Sequence, residues 1–138
     1  MPEQKKSTEK PPLMASTVVA GFPSPAEQYA ETPLDLNELL VRRAAATFFV
    51  RAAGDSMIGA GIRPGDILVV DRSLTAEDKM IVIAAVDREF TVKILRKDAG
   101  GVRLEAANKK YQTIVLKEGM ELQIFGVVTA VIHQFIKV

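Results

Sequence analysis

The 138-residue sequence contains no cysteine and no tryptophan, and it has a single histidine. Without cysteine there can be no disulfide, no thiolate metal ligand and no cysteine nucleophile, and one histidine cannot build a multi-histidine metal site. Lysine and arginine exceed aspartate and glutamate by one charge, so we expect no strongly basic surface for direct, sequence-specific DNA binding. Serine, lysine and carboxylate chemistry remain, and no metal or other cofactor is expected.

Long apolar runs are also missing, because none approaches the ~18 residues that a transmembrane helix requires. The segment before Ala20 offers one alternative, since three lysines and the small residues around Val18 resemble a secretory signal. Its apolar middle is interrupted by Pro11, Pro12, Ser16 and Thr17. We therefore expect no membrane association.

The N-terminal third of the sequence is polar at first and then carries helix-start signals. Residues 1–12 have no apolar side chain after Met1 and are expected to be a flexible tail, followed by a short apolar extended segment. Ser24–Glu27 combines a capping hydroxyl, a proline and a carboxylate, which predicts a short helix. Thr32–Asp35 repeats the signal and predicts a second helix near 33–41.

From Thr47 onward the pattern changes to short runs rich in β-branched residues, separated by turn signals. About seven strands in this span predict a mainly β fold, either a folded-over sheet or a partly closed barrel. The predicted strands are Thr47–Ala52, Ile67–Asp71, Met80–Val86, Phe90–Arg96, Val102–Ala106, Thr113–Leu116 and Leu122–Ile136.

Gly54–Met57 follows the first predicted strand and precedes several small residues. This placement predicts that Ser56 lies at a strand-to-helix turn, where its hydroxyl would be close to backbone N–H groups that can stabilise an oxyanion. The alternative is that Ser56 only caps a helix.

Lys93 places a cation between two β-branched residues, Val92 and Ile94, in a predicted strand. Poor solvation lowers the pKa of a lysine, and a fall from ~10.4 to near 7 corresponds to about 4–5 kcal/mol. A neutral lysine can act as general base toward a serine hydroxyl. The alternative is an edge-strand lysine that keeps its ammonium in water.

The single histidine, His133, allows another interpretation of the site: a catalytic triad of Ser56, His133 and an aspartate. A Ser–Lys dyad needs no histidine, whereas a sole histidine on an apolar strand is typical of packing.

A possible substrate lies within the chain itself. In an extended segment Val18, Ala20 and Phe22 share one face, Ala20 fits a tight pocket, and Gly21 permits close backbone approach. This pattern predicts cleavage between Ala20 and Gly21.

Several blocks in this order resemble the LexA- and UmuD-related family of self-cleaving Ser–Lys peptidases. The blocks cover most of the sequence from Ala20 onward, and together they are more specific than any one motif. They are Ala20–Ala26, Leu34–Leu40, Gly54–Ile58, Pro64–Asp71, Ile81–Asp87, Glu89–Lys93 and Phe125–Val128.

The resemblance implies a cytoplasmic homodimer that cuts its own N-terminal arm when a RecA filament on single-stranded DNA stimulates it. The product would serve an error-prone Y-family translesion polymerase. Ser56 would be the nucleophile, Lys93 its general base, and the backbone amides of Asp55 and Ser56 the oxyanion donors.

The implied fold is the folded β-sheet or partial barrel of LexA and signal peptidase, with one or two short N-terminal helices and an extended arm. The expected organisation is an arm over residues 1–20, a linker with short helices over 21–46 and a β-rich peptidase and dimerisation domain over 47–138.

The sequence departs from the family at three places: residues 1–12 match no known segment of it, Ala20 stands where UmuD relatives have cysteine, and Asp78-Lys79-Met80 replaces the usual Gly-Asp turn. Three other functions compete. A LexA-type repressor needs a DNA-binding domain, which 20 residues before the cleavage site would not provide. A non-catalytic β-rich interaction module would have the same fold, and an exported small β protein is the third.

Overall fold

A computed structural model describes residues 9–14, 17–18, 20 and 31–137 of the chain. The chain divides into two compact units, one ending at Leu39 and the other beginning at Leu40. The helix predicted to start at Ser24–Glu27 and the cleavage-site residue Gly21 both lie outside the described residues.

The first unit contains a small antiparallel pair, β1 (Pro12–Met14) and β2 (Glu31–Pro33). Helix α1 (Leu36–Leu40) follows. It begins later than the prediction near 33–41, because Pro33 belongs to β2 and the carboxylate of Asp35 caps the helix. Asp35 Oδ1 accepts the Asn37 N–H at 2.9 Å, which satisfies a donor that the first turn leaves free.

The second unit is one antiparallel sheet of seven strands in the order β3-β4-β9-β5-β6-β7-β8. Each of the seven predicted runs forms one of these strands, and the sheet is open, with β3 and β8 at its edges. The mainly β fold predicted from the sequence is therefore confirmed. The strands are β3 (Thr47–Arg51), β4 (Ile67–Asp71), β5 (Ile81–Val86), β6 (Glu89–Asp98), β7 (Gly101–Glu105), β8 (Ile114–Val115) and β9 (Leu122–Ile132).

The hairpin between β5 and β6 sets the register of the strand that carries Lys93. Asp87 and Arg88 both have positive φ, 47° and 70°, which is the conformation of a two-residue turn that matches the twist of paired strands. Val86 then pairs with Glu89, and Val82 with Lys93. The turn thus fixes the pairing of Lys93 with the buried residue Val82 of β5.

Alternate residues of β5 enter two different apolar clusters, as expected for a strand that is covered on both faces. Ile81 and Ile83 pack with the cluster that contains Met57 and Leu68. Val82 and Ala84 pack with Leu95, Leu104 and Val127. The first cluster therefore anchors the loop that carries Ser56, through the side chain of its neighbour Met57.

None of the helices in the described residues is long and apolar enough to span a membrane.

Strand β9 pairs with β4 on one side and with β5 on the other, and its Gly126 lies close to Val70 and Asp71 of β4. A Cβ atom at Gly126 would lie 2.6 Å from Val70 Cγ1 and 3.1 Å from the carbonyl oxygen of Asp71. Val70 is fully buried, so its side chain has no room to move away. Only glycine fits here without a shift of the backbone.

We expect Gly126→Ala to lower the free energy of unfolding by about 1–3 kcal/mol, because the new methyl group overpacks a closed contact. Urea unfolding of the variant and the parent measures the difference. Gln123→Ala, an exposed change in the same strand, is the control and should stay within about 0.5 kcal/mol of the parent. Equal stability of Gly126→Ala and the parent would contradict the close contact.

Candidate active site

Ser56 lies on the loop that follows β3, between a glycine turn and a short 3-10 turn. Gly54 has φ of 77°, which bends the chain away from the strand, and Met57 is buried. The turn spans only Ile58–Ala60, and its N-cap is Met57, with no side-chain capping bond. Ser56 therefore lies between a strand and a helix, as the sequence predicts, although this helix is a single 3-10 turn. The reading of Ser56 as a helix cap is wrong.

Lys93 lies in β6 and pairs with Val82 of β5, and the alternative of a lysine that keeps its ammonium in water is wrong because the residue is buried. The residue is only 8% exposed. Its Nζ donates to Ser56 Oγ at 3.1 Å, to Thr91 Oγ1 at 2.6 Å and to the carbonyl oxygen of Val92 at 3.2 Å. The structure thus brings together two sequence-predicted residues that are 37 positions apart.

Burial lowers the pKa of Lys93 below its ordinary value, because the ammonium loses water that its neighbours do not fully replace. None of the ion pairs among the described residues involves Lys93, so no carboxylate offsets this loss of hydration. The direction of the shift favours the neutral amine, which is the form that can accept a proton from a hydroxyl.

A cleft of about 470 Å³ adjoins Ser56 and Lys93. Its volume falls within the range of ligand pockets. The walls are mostly apolar, which suits an uncharged peptide side chain and keeps water away from the lysine. The apolar lining comes mainly from Phe48, Val50, Leu68, Ile83, Val92 and Phe125.

Asp55 and Ser56 both line this cleft. Within the described part of the chain, neither N–H donates to a protein acceptor. Two such donors next to a nucleophile are the arrangement that stabilises a tetrahedral oxyanion. Their role as oxyanion donors stays a prediction.

Sequence reasoning missed three polar residues of this site. Thr91 holds the Lys93 ammonium, whereas Asn108 and Tyr111 contact the Ser56 loop from the segment between β7 and β8. The period-two spacing of Thr91 and Lys93 could have indicated a shared face. No local signal could have found Asn108, whose partner Asp55 is 53 positions away.

The Tyr111 hydroxyl donates to the carboxylate of Asp55 at 2.5 Å. This bond and the negative charge of Asp55 raise the pKa of Tyr111 above its ordinary value. The direction of this shift favours the protonated phenol, which is the form that donates to Asp55.

His133 lies at the end of β9, where its ring contacts the carboxylate of Asp66 and the ring of Phe135. Asp66 is buried and also accepts the Arg63 N–H at 2.8 Å. Burial alone raises the pKa of Asp66, but the Arg63 N–H and His133 outweigh it and hold that pKa below its ordinary value. The Ser56–His133–Asp triad is therefore wrong, because His133 pairs with Asp66 while Ser56 contacts Lys93.

The predicted cleavage site is described only in part. Ala20 is an exposed residue at a bend, and Gly21 is outside the described residues. Cleavage between them stays a prediction.

An open antiparallel sheet with a buried lysine against a loop serine defines a mainly β protein with a peptidase-like site. Residues 12–129 match the family model described as Peptidase S24-like. The chain therefore belongs to the S24-like peptidase family, and the family resemblance inferred from the sequence is confirmed.

Curated relatives agree with this family over most of the chain. Protein SamA of Salmonella typhimurium is 49% identical over 96% of this chain and 92% of its own length. Protein MucA of Escherichia coli is 43% identical over 86% of this chain and 81% of its own. LexA repressor 1 of Geobacter sulfurreducens is 38% identical over 77% of this chain, which spans 52% of that repressor.

Proposed function

We propose that this chain is a self-cleaving serine peptidase in which Ser56 is the nucleophile and Lys93 the general base. The observation that carries the proposal is the 3.1 Å contact between Lys93 Nζ and Ser56 Oγ at a lysine that is only 8% exposed. A base must lie within hydrogen-bond reach of the proton it takes and must be neutral at working pH. This lysine meets the first condition by geometry, and its burial favours the second.

In the first step, neutral Lys93 takes the hydroxyl proton of Ser56 while Oγ attacks the carbonyl carbon of Ala20. The amides of Asp55 and Ser56 stabilise the negative oxygen of the tetrahedral intermediate. The peptide bond then breaks, and the amine of Gly21 leaves with the proton from Lys93. In the second step, Lys93 takes a proton from water as the hydroxide attacks the ester carbonyl. The ester bond then breaks, Ser56 Oγ takes the proton back from Lys93, and the Ala20 carboxyl group is released.

The cleavage divides the proposed organisation into a detachable arm, residues 1–20, and a product that keeps the linker 21–46 and the β-rich domain 47–138.

Membership of the S24-like family supports peptidase chemistry, and the resemblance to UmuD- and LexA-related proteins supports a role in SOS mutagenesis after DNA damage. We propose that a RecA filament on single-stranded DNA stimulates cutting. The product then serves, as a cytoplasmic homodimer, an error-prone Y-family polymerase.

The test is mass analysis of the purified chain after incubation at alkaline pH, and separately with RecA, single-stranded DNA and nucleotide at neutral pH. We expect two products that correspond to a cut after Ala20. An intact chain under both conditions would contradict the proposed peptidase activity and favour the non-catalytic interaction module. Cleavage at alkaline pH alone would support the peptidase activity and contradict the proposed stimulation by RecA.

A further inference from the structure

The loop that carries Ser56 is held from outside by the segment between β7 and β8. Asn108 Nδ2 donates to the carbonyl oxygen of Asp55 at 2.9 Å, and the Tyr111 hydroxyl donates to the carboxylate of the same residue at 2.5 Å. A third bond runs the other way, from the Gly59 N–H to the carbonyl oxygen of Ala107 at 2.7 Å. The segment between β7 and β8 therefore makes hydrogen bonds with both ends of the loop 55–59.

The bond from Asn108 falls on the peptide group that decides where the Ser56 N–H points. The carbonyl of Asp55 and the N–H of Ser56 belong to the same trans, planar peptide, so they point in opposite directions. A donor that holds the carbonyl therefore also fixes the direction of the N–H. The carbonyl also accepts the Ile58 N–H at 3.4 Å, so Asn108 makes the shorter of the two bonds.

The two ends of the Asn108 side chain have different partners. Its Oδ1 accepts the Lys110 N–H at 3.0 Å and closes a local turn, whereas Nδ2 reaches across to Asp55. Exchanging the two amide atoms would set acceptor against acceptor and donor against donor, so this orientation is the one that satisfies both bonds. The turn function and the contact with Asp55 can therefore be separated by substitution.

We propose that Asn108 is a positioning residue that aims the Ser56 N–H at the reacting carbonyl oxygen, with Tyr111 bracing the carboxylate of Asp55. The inference rests on the proposed function, because it assigns Asn108 to the oxyanion donor of that peptidase. It predicts that loss of the Asn108 donor slows the chemical step without changing the pH at which Lys93 loses its proton.

Asn108→Asp tests this directly, because the carboxylate keeps an acceptor for the Lys110 N–H and removes the donor to Asp55. We expect the first-order rate of self-cleavage at its alkaline plateau to fall about 10- to 100-fold, with the midpoint of the pH–rate profile unchanged. Asn108→Ala should lose a similar factor in rate and, unlike Asn108→Asp, also the closure of the turn, which a lower thermal midpoint would report. Tyr111→Phe should lose about 3- to 10-fold, since the backbone bond remains.

Asp98→Ala is the matched control. Asp98 Oδ1 closes a comparable turn between β6 and β7 by accepting the Gly100 N–H at 2.8 Å. Its loss should lower the thermal midpoint and leave the cleavage rate at the parent value.

The possible outcomes separate this inference from the proposed function. If the parent cuts and Asn108→Asp cuts at the same plateau rate, Asn108 has only its turn role and the inference is overturned alone. A shifted midpoint with an unchanged plateau also overturns it, because the effect would then be the new charge acting on Lys93. A parent chain that never cuts overturns both.

Discussion

Ser56→Ala and Lys93→Met should each leave the chain uncut under conditions in which the parent is fully processed. The first change removes the oxygen that attacks Ala20, and the second removes the only amine that contacts that oxygen among the described residues. Loss of a nucleophile or its base slows such reactions by at least about a thousandfold. Mass analysis over a time course measures the residual rate.

Lys97→Met is the matched control, because Lys97 is an exposed lysine on the same strand, β6. It should cut at the parent rate. The two site variants should also remain folded: Ser56→Ala removes one oxygen, and Lys93→Met replaces a poorly hydrated ammonium by an apolar side chain of similar length. Unfolding in urea should show that Lys93→Met equals or exceeds the parent by about 1 kcal/mol at neutral pH. Normal cutting by Lys93→Met would remove Lys93 from its proposed role.

The unstimulated rate of self-cleavage should rise about tenfold per pH unit and then level off. The rise follows the fraction of Lys93 that is neutral, since only the neutral amine can take the Ser56 proton. Burial lowers the pKa of Lys93, so the plateau should begin at a lower pH than the ordinary lysine value of 10.5 would give. Initial rates in buffers of constant ionic strength between pH 6 and 11 define the midpoint.

Stability provides an independent measurement of the same pKa. The unfolded chain binds a proton at Lys93 more tightly than the folded chain does, so Lys93 destabilises the fold most when the pH is below its folded pKa. The stability advantage of Lys93→Met should therefore be largest there and should shrink as the pH rises through the folded pKa toward the unfolded value. A cleavage rate that does not change between pH 7 and 10, or a midpoint at the ordinary lysine value, would contradict this role for Lys93.

The strands could be predicted because their patterns are local. Alternating apolar residues and turn signals such as Asp87-Arg88 mark each strand without reference to the rest of the chain. The predicted end of β9 is wrong by four residues, because the sequence pattern predicts Leu122–Ile136 and the strand stops at Ile132. The cause lies far along the sequence: the next residue, His133, turns to pair with Asp66.

The site shows the same division between local and distant signals. A lysine among apolar neighbours and a serine after a strand suggest a dyad on chemical grounds, but no local signal shows that two residues 37 positions apart are in contact. The unusual turn at Asp78 also depends on a remote partner. Lys79 takes a positive φ of 74°, and the Asp78 carboxylate accepts the Lys97 N–H at 2.8 Å and pairs with Arg96. The turn therefore forms with a lysine, and not a glycine, at the position of positive φ.

The position of β9 within the sheet also affects the order of events during synthesis. Ser56 follows β3 and Lys93 lies in β6, and in the sheet β9 is the strand that joins β3 and β4 to β5 and β6. It is also the last of the described strands to leave the ribosome. A nascent chain can therefore contain both halves of the proposed dyad before the sheet that aligns them exists, so we expect the proposed self-cleavage only after translation has passed Ile132.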